Sequence, residues 1–331
     1  MKIKETVGID VGKMKNEVRI HTNQKYKNFD NTVTGITSMI KWTLASSNYA
    51  KEQILFAFEH TGIYSQQLSV YLTENGFNYI MLPGLEIRRS MGITRGKDDK
   101  IDAKKIALYA YRRKDELKPY ELPSKNIKEI KSLLNLREKL VKQRSGYKVT
   151  LCEYKRFLKR KENTTLFSVH EKMINELTKQ INKIENNLMD IVDNDENLKK
   201  LYKLLTSIKG IGQKTALFMI AYTGGFTRFE TWRKFASYCG IAPFPNTSGI
   251  SIRGKTKVNN LANKKIKSLL DLCAKSSIQW NSEMKLYYER RIADGKSKMG
   301  TINIVRNKLL SRMFAVVRRG TPYVDTLAYC A

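Results

Sequence analysis

The stretch Val7-Gly8-Ile9-Asp10-Val11-Gly12-Lys13 decides the fold of the N-terminal third of the chain. Its β-branched apolar residues favour a strand, yet Asp10 stands in the middle of the run, where a core strand normally carries an apolar residue. Burial of an unpaired carboxylate is costly, so a bound cation is the natural compensation. The stretch therefore predicts a core strand that presents a metal ligand.

Short β-like and helical runs alternate on both sides of this stretch and predict an α/β layer fold for residues 5–118. A hairpin pair is expected at residues 6–11 and 17–21, with further strands at 54–58 and 78–83. Helical spacing covers residues 64–72 and 98–112. The apolar side of the second of these helices is predicted from Ile101, Ile106, Leu108 and Ala110.

Three further acids in this third of the chain complete a candidate tetrad with Asp10. Glu59 ends the apolar run 54–58, and Asp99 and Asp102 are three residues apart, which places them on one face of a helix. Asp98 is offset and is expected to cap that helix. Each acid alone is better explained as a turn, strand-end or solvated residue. The four together predict a two-metal site for phosphoryl transfer.

The charge of the chain points to a polyanionic partner. Lys and Arg total 61 against 31 Asp and Glu, which gives a formal charge of +30 spread over the whole length. Such a charge favours nucleic acid. A membrane is not favoured, because no apolar run approaches 18 residues and no signal peptide is evident. The scattered cysteines fit reduced thiols, so a soluble cytoplasmic protein is expected. They are Cys152, Cys239, Cys273 and Cys330.

The middle of the chain is predicted to be long helix. Pro119 and Pro123 mark a boundary, and no proline occurs from residue 124 to 205. An apolar seam with a 3-4 spacing indicates a coiled coil or a long helical hairpin. Dimerisation through this seam is favoured, with packing inside one subunit as the alternative. The seam consists of Ile174, Leu177, Ile181, Ile184, Leu188 and Ile191.

Two segments of the C-terminal part are candidate phosphate contacts. Residues 207–216 match a helix-hairpin-helix, although a plain helix–helix turn remains open. Residues 239–250 contain two prolines and predict a rigid loop that holds Ser248 against a phosphate, with Ser251 an equal candidate. By sequence alone, Thr-Ser-Gly is an ordinary turn. The expected nucleic-acid contacts are Lys209, Gly210, Gly212, Lys214, Arg253, Lys255 and Lys257.

In their order and spacing, these motifs resemble the DEDD transposases of bacterial insertion sequences, the IS-one-ten family, over almost the whole chain. Two departures are visible: Asp98 stands where the family usually has Thr, and residues 278–281 replace a more common Asn-Pro sequence. The matching motifs are Gly8-Ile9-Asp10-Val11, residues 59–64 and 97–103, Ile208-Lys209-Gly210-Ile211-Gly212, Phe229, residues 236–243, Ser248-Gly249, Gly295-Lys296 and Lys308-Leu309-Leu310.

The resemblance implies three parts. Residues 1–120 would form an RNase H-like (RuvC-like) domain, residues 121–203 a helical coiled-coil oligomerisation segment, and residues 204–331 a mainly helical transposase domain with the helix-hairpin-helix. Mg²⁺, or Mn²⁺, would bind the tetrad of Asp10, Glu59, Asp99 and Asp102, and Ser248 would be the nucleophile.

The resemblance also implies a reaction and its partners. Donor and target DNA would be paired by a guide (bridge) RNA and exchanged through a covalent phosphoserine. The protein would act as a dimer to tetramer with a composite site, in the cytoplasm and on the nucleoid when active. Three alternatives stay open: a RuvC-like junction nuclease that uses metal and water, a non-catalytic nucleic-acid scaffold, and a DNA-binding transposase without RNA.

Overall fold

The structure, a computed structural model, describes residues 2–90, 99–248 and 252–325, and for Asp99, Ile252 and Arg253 the backbone only. It divides into two units, Met1–Leu122 and Pro123–Ala331. The first unit contains β1 (Glu5–Val11), β2 (Lys15–Ile20), β3 (Tyr26–Asp30), α1 (Val33–Ser46), β4 (Ile54–Glu59), α2 (Gln66–Glu74), β5 (Asn78–Leu82), α3 (Gly84–Ser90) and α4 (Asp99–Arg112).

A five-stranded sheet in the order β3-β2-β1-β4-β5 forms the centre of the first unit. Strands β1, β2 and β3 are antiparallel neighbours, whereas β1, β4 and β5 run parallel. This arrangement confirms the predicted mixed α/β fold. Strand β3 and helix α1 were not predicted, although Thr32 caps α1 by accepting a hydrogen bond from the Gly35 backbone N–H at 3.1 Å.

Both faces of the sheet are covered by helices. Successive side chains of a strand point to opposite faces, so the apolar residues of the central strands are buried on both sides. On one face, Phe56 and Phe58 of β4 belong to the same apolar cluster as residues of α1 and α2. On the other face, Leu55 and Ala57 share a cluster with residues of α3 and α4. Glu59 continues the second series, which directs it to the face that α4 covers.

Helix α4 lies directly on β1 because Gly8 has no side chain. A Cβ atom built on Gly8 would come within 2.2 Å of the Ala103 carbonyl oxygen and 2.4 Å of the Ala107 backbone nitrogen. The Thr6 hydroxyl, on the same face, donates a hydrogen bond of 3.0 Å to the Ala107 carbonyl. Asp10 is the next residue of this series, so the strand brings it level with the N-terminal part of α4.

The buried side of α4 differs from the predicted one. Ile106 and Ala110 are buried as expected, but Ile101 remains 43% exposed and Leu108 is only partly buried. The close approach to Gly8 places the small residues Ala103 and Ala107 at the contact, and helical periodicity alone does not predict such an approach. Tyr109 is also buried on this helix, in the cluster that contains Leu55 and Ala57.

The second unit is mostly helical. Its elements are α5 (Lys125–Phe157), α6 (Thr164–Asp193), α7 (Glu196–Thr206), α8 (Gln213–Thr223), α9 (Trp232–Tyr238), β6 (Pro243–Ser248), β7 (Ile252–Val258), α10 (Lys264–Trp280), α11 (Ser282–Ala293) and α12 (Lys298–Arg319). An apolar core joins α5 and α6 to the helices that follow them. Strands β6 and β7 form a separate antiparallel pair. None of the helices in the described part of the chain is long and apolar enough to span a membrane.

Helices α5 and α6 pack against each other as a long hairpin within one chain. The predicted seam supplies Leu177, Ile181, Ile184 and Leu188, all buried, while Ile191 packs at the edge of the core of the unit. These side chains are covered without a second copy of the protein. The hairpin alternative of the prediction therefore accounts for the seam. Oligomerisation itself, and the division at residues 120 and 203, stay predictions.

The start of α7 gives a pH-dependent contribution to stability. Asp195 caps the helix by accepting hydrogen bonds of 3.1 Å from the Asn197 and Leu198 backbone N–H groups, and the Asn126 side chain donates to it at 2.9 Å. The Asn126 hydrogen bond, outweighing partial burial, and these backbone donors hold the pKa of Asp195 below its ordinary value. The charged carboxylate is therefore more stable in the folded than in the unfolded chain.

Replacement of Asp195 by Ala is expected to lower the free energy of unfolding by about 1 kcal/mol at pH 7, because the cap is lost. A depressed pKa stabilises the fold above the ordinary Asp value near pH 4, and this contribution disappears as the pH falls through the folded value. The gap between wild type and variant should therefore narrow below about pH 4. Urea titrations at several pH values measure this difference in unfolding free energy. Asp195→Asn keeps a neutral cap and is the control: the difference in unfolding free energy between it and Asp195→Ala should not change with pH. If the difference between wild type and Asp195→Ala also stays constant on acidification, the assignment is contradicted.

Candidate active site

Two of the candidate carboxylates lie at the same end of neighbouring parallel strands. The pairing of β1 with β4 places Gly8 beside Ala57 and Ile9 beside Phe58. Asp10 and Glu59 are the next residues of the two strands, and both belong to the series that faces α4. Each is partly buried. The structure thus brings together the strand acids that the sequence singled out.

Glu59 lies in a confined position where its charged form is disfavoured. Burial, opposed by the charge of Arg88 and reinforced by the charge of Asp102, raises the pKa of the Glu59 carboxyl above its ordinary value. A Cβ atom on Gly84 would lie 2.5 Å from one Glu59 carboxylate oxygen, so the glycine leaves room for the acid. Gly84 and Arg88 were missed by the sequence analysis. The glycine directly after Pro83, at the end of a strand, was the available signal.

Helix α4 supplies the remaining acids. Its backbone is helical from Asp99 onward, so Asp99 and Asp102 start on one face of the helix, as predicted. The charge of Asp102 contributes to the raised pKa of Glu59, and Asp102 also forms a 2.8 Å ion pair with Lys105. The side chain of Asp99, and Asp98 as a whole, lie outside the described residues. Of the four candidate acids, the structure therefore describes three carboxylates and, for Asp99, the helix position alone.

These residues fit a divalent cation in chemistry. Carboxylate oxygens are the hard ligands that Mg²⁺ and Mn²⁺ prefer, and a cation would relieve the repulsion between Asp102 and Glu59. Among the side chains that the structure describes, no three Asp, Glu, His or Cys groups are close enough to hold a metal ion. The set without Asp99 thus falls short of a ligand sphere, and the metal remains a prediction.

Ser248 is found in the second unit, on a strand and not in the predicted rigid loop. It ends β6, every residue of which is exposed, and pairs with Ile252 of β7. The prediction of a rigid loop from these two prolines was wrong, because the exposed edges of a two-stranded ribbon tolerate proline. Ser251, the rival candidate, lies outside the described residues.

The three cations predicted near Ser248 are arranged along β7. Arg253 pairs with Thr247, the neighbour of Ser248, whereas Lys257 pairs with Phe244 at the other end of β6. Lys255 and Lys257 are exposed; of Arg253 only the backbone is described. Of the three cations, Arg253 is therefore the nearest to Ser248 in register, one position from its partner Ile252.

The predicted helix-hairpin-helix segment forms the connection between α7 and α8 and packs on α10. Gly210 has a φ of +95°, and a Cβ atom there would lie 1.9 Å from the Ser277 hydroxyl. That hydroxyl donates a 3.0 Å hydrogen bond to the Lys209 carbonyl. The backbone conformation and the close packing therefore explain a glycine at position 210 without any contact to phosphate. At Gly212, by contrast, a Cβ atom would meet no other described residue within 4 Å.

Both lysines of this segment are paired within the chain. Lys209 contacts Asp325 at 2.9 Å, and Lys214 contacts Glu185 at 3.1 Å. Burial opposes ionisation of Glu185, but hydrogen bonds from Arg137 and Lys214 lower the pKa of Glu185 below its ordinary value. Both lysine side chains remain about half exposed, so a phosphate would compete with these carboxylates for them.

Comparison with known proteins identifies the class. A family model for DEDD transposases of the IS110 type, described as "Transposase", matches residues 7–154, and the model "Transposase IS116/IS110/IS902 family" matches residues 202–289. Both describe transposases, which are enzymes that act on DNA. The chain belongs to the IS110 family of transposases. DEDD transposases generally use divalent metal ions.

Relatives extend the match over the whole chain. The pilin gene-inverting protein of Moraxella lacunata is 26% identical over 332 residues, which covers 97% of this chain and 98% of that protein. Its Moraxella bovis namesake is 25% identical with the same coverage. The insertion element IS110 uncharacterized 43.6 kDa protein of Streptomyces coelicolor is 32% identical over 123 residues, which are 37% of this chain and 30% of that protein.

Proposed function

We propose that this transposase cuts and rejoins DNA strands through a covalent phosphoserine at Ser248, with Mg²⁺ held by Asp10, Glu59, Asp99 and Asp102. One observation carries the proposal. Asp10 and Glu59 end adjacent parallel strands on the sheet face that α4 covers, and the charge of Asp102 on α4 raises the pKa of Glu59. A solvated scaffold has no need of partly buried like charges at such a place.

The carboxylates and the serine would divide the chemistry between them. Bound Mg²⁺ would supply Lewis-acid stabilisation of the charge that develops on the phosphate oxygens. The Ser248 oxygen would attack phosphorus, losing its proton to a base, while the bond to one sugar oxygen breaks and that oxygen takes up a proton. One phosphoester replaces another, so rejoining needs no ATP. The cations of β7, Arg253, Lys255 and Lys257, would stabilise the added negative charge.

Two further features support strand exchange over simple hydrolysis. The Moraxella relatives are named for inverting a gene, and inversion requires that cut ends are rejoined in a new order. A charge of +30 spread over both units suits a protein that grips several nucleic-acid backbones. We include in the proposal a guide RNA that pairs with donor and target DNA, helix-hairpin-helix contacts to phosphate, and a homo-oligomer of two to four copies.

Detection of a covalent protein–DNA adduct tests the proposal. Cells that carry the gene with its native flanking DNA are lysed in denaturant, and protein-linked DNA is compared between wild type and Ser248→Ala. The adduct is expected in the wild type and absent from the variant, because alanine removes the attacking oxygen. Thr247→Ala removes the neighbouring hydroxyl of the same ribbon and is the control. Metal-dependent nicking that survives Ser248→Ala would instead favour the RuvC-like nuclease with a water nucleophile.

A further inference from the structure

A groove of about 830 Å³ opens in the second unit between the start of α9 and the C-terminal end of α12. Its volume lies in the range of ligand pockets, roughly 300–1,000 Å³. The groove takes no part in the proposed cleavage chemistry, and its lining combines aromatic rings with arginines. The residues that matter are Phe226, Phe229, Trp232, Phe314, Arg233 and Arg318.

Edge-to-face contacts hold the three phenylalanines of the groove. The rings of Phe226 and Phe314 are 4.9 Å apart at 73°, and Phe229 meets the buried Phe235 at 4.9 Å and 61°. Trp232 differs: in the part of the chain that the structure describes, it forms no ring pair and stacks only with the Arg233 guanidinium at 4.9 Å. The indole packs against the core of the unit but is partly exposed, so another ring would stack on it in place of the Arg233 guanidinium.

The backbone at Phe226 is held in an unfavourable conformation. Its φ of +69° lies in the left-handed region, which bulky side chains rarely adopt. The Thr223 hydroxyl accepts a 2.9 Å hydrogen bond from the Phe226 backbone N–H and helps to fix this turn. Such strain persists where the surrounding structure demands it and is concentrated at functional sites. Here the strain places an aromatic ring in the wall of the groove.

The charges around the groove favour an anionic occupant. Arg233 and Arg318 are exposed, and neither forms an ion pair with another described residue. Glu230, the acidic residue of the lining, is bound by Lys234. Guanidinium groups bind phosphate through directed hydrogen bonds and also stack on rings. Aromatic rings flanked by phosphate-binding arginines match a nucleotide better than an apolar protein segment, which would leave the arginines unused.

We propose that this groove binds an unpaired nucleotide of single-stranded DNA, with the base stacked on Trp232 and the flanking phosphates on Arg233 and Arg318. Base–aromatic stacking beside a basic surface is how proteins hold single strands. We assign the bound nucleotide to DNA because the chain belongs to a family that acts on DNA. The inference rests on the proposed strand exchange for one point, namely that unpaired DNA arises during the reaction.

The test compares the binding of a fluorescent 12-nucleotide single strand with that of its duplex, using the full-length protein and EDTA so that no cleavage occurs. Trp232→Leu keeps an apolar side chain but removes the indole, and should weaken single-strand binding roughly 5- to 150-fold. Duplex binding should change less than about twofold. The control is Trp280→Leu, which removes a tryptophan 71% exposed at the end of α10 and should leave both affinities unchanged.

Two more variants guard against misfolding. Trp232→Phe restores a ring and should recover most of the single-strand affinity, which a packing defect at this position would not predict. Arg318→Gln lies on the surface and should reduce the slope of log affinity against log salt by about 0.7, the value for one lost phosphate contact to a single strand. The assay involves neither Ser248 nor the carboxylates, so a failed cleavage mechanism would not affect its result.

Several outcomes would overturn the proposal. They are an unchanged single-strand affinity for Trp232→Leu, an equal loss for the duplex, or a loss confined to an RNA strand of the same sequence. A smaller assembly in sedimentation, with DNA binding intact, would assign the groove to a second copy of the chain instead.

Discussion

Replacement of Glu59 by Gln is expected to lower DNA strand cleavage by about 1,000-fold or more, with nucleic-acid binding retained. The change removes one negative charge from the acidic site and almost no volume. Binding depends on the basic surface of the whole protein, whereas cleavage depends on the carboxylates that would hold the metal. Single-turnover cleavage of the flanking DNA measures the first effect, and a gel-shift titration measures the second.

The matched control makes the same substitution elsewhere in the same unit. Glu74 is exposed at the end of α2, so Glu74→Gln changes the net charge equally but leaves the site intact. It should cleave at the wild-type rate. Cleavage by Glu59→Gln at that same rate would remove Glu59 from the tetrad, whatever the behaviour of the other acids.

Replacement of Gly8 by Ala is expected to cost about 3 kcal/mol of stability and most of the cleavage activity. The added methyl group would collide with backbone atoms of α4, at 2.2 Å from the Ala103 carbonyl oxygen, and a helix backbone cannot yield by rotating a side chain. Relief requires α4 to move off β1, at the cost of packing strain of about 1–3 kcal/mol and sometimes more. Because α4 carries Asp102, the same movement displaces an acid of the site.

Thermal unfolding and cleavage are measured together, with Gly146→Ala as the control. Apart from the backbone of α5 itself, no atom of the described residues lies within 4 Å of a Cβ at Gly146, so alanine there should stabilise the helix by about 0.5–1 kcal/mol. Cleavage by the control should be unchanged. A Gly8→Ala protein with wild-type melting temperature and activity would show that α4 does not pack on β1 at the distance found here.

Much of the acidic site was predictable because its signals are local. Asp10 within an apolar strand and Glu59 at the end of another conflict with burial, and that conflict is visible in the sequence. Strand β3 was missed because only Phe29 of its five residues is buried, so an exposed edge strand shows no apolar alternation. The prediction of the contact face of α4 was partly wrong because the close approach at Gly8 depends on β1 and α4 together, and the sequence of one helix does not show it.

The second unit shows what spacing can and cannot decide. The 3-4 seam correctly predicted a long helix around Leu177 to Leu188, because burial along one helical stripe follows from periodicity. It could not choose between a partner helix from the same chain and one from another copy, since both bury the same stripe. The β6–β7 ribbon was hidden for a different reason, as all of β6 is exposed and carries two prolines.

The α5–α6 hairpin also defines a distance. At 1.5 Å per residue, the 33 residues of α5 extend about 50 Å, which equals the length of roughly 15 base pairs of DNA. Removal of seven residues from each helix would shorten this span by about 10 Å yet turn the remaining surface by only about 20°. Removal of a single residue would hardly alter the length but would rotate everything beyond it by about 100°. Changes of hairpin length are therefore compatible with the packing of the seam only in steps close to whole heptads.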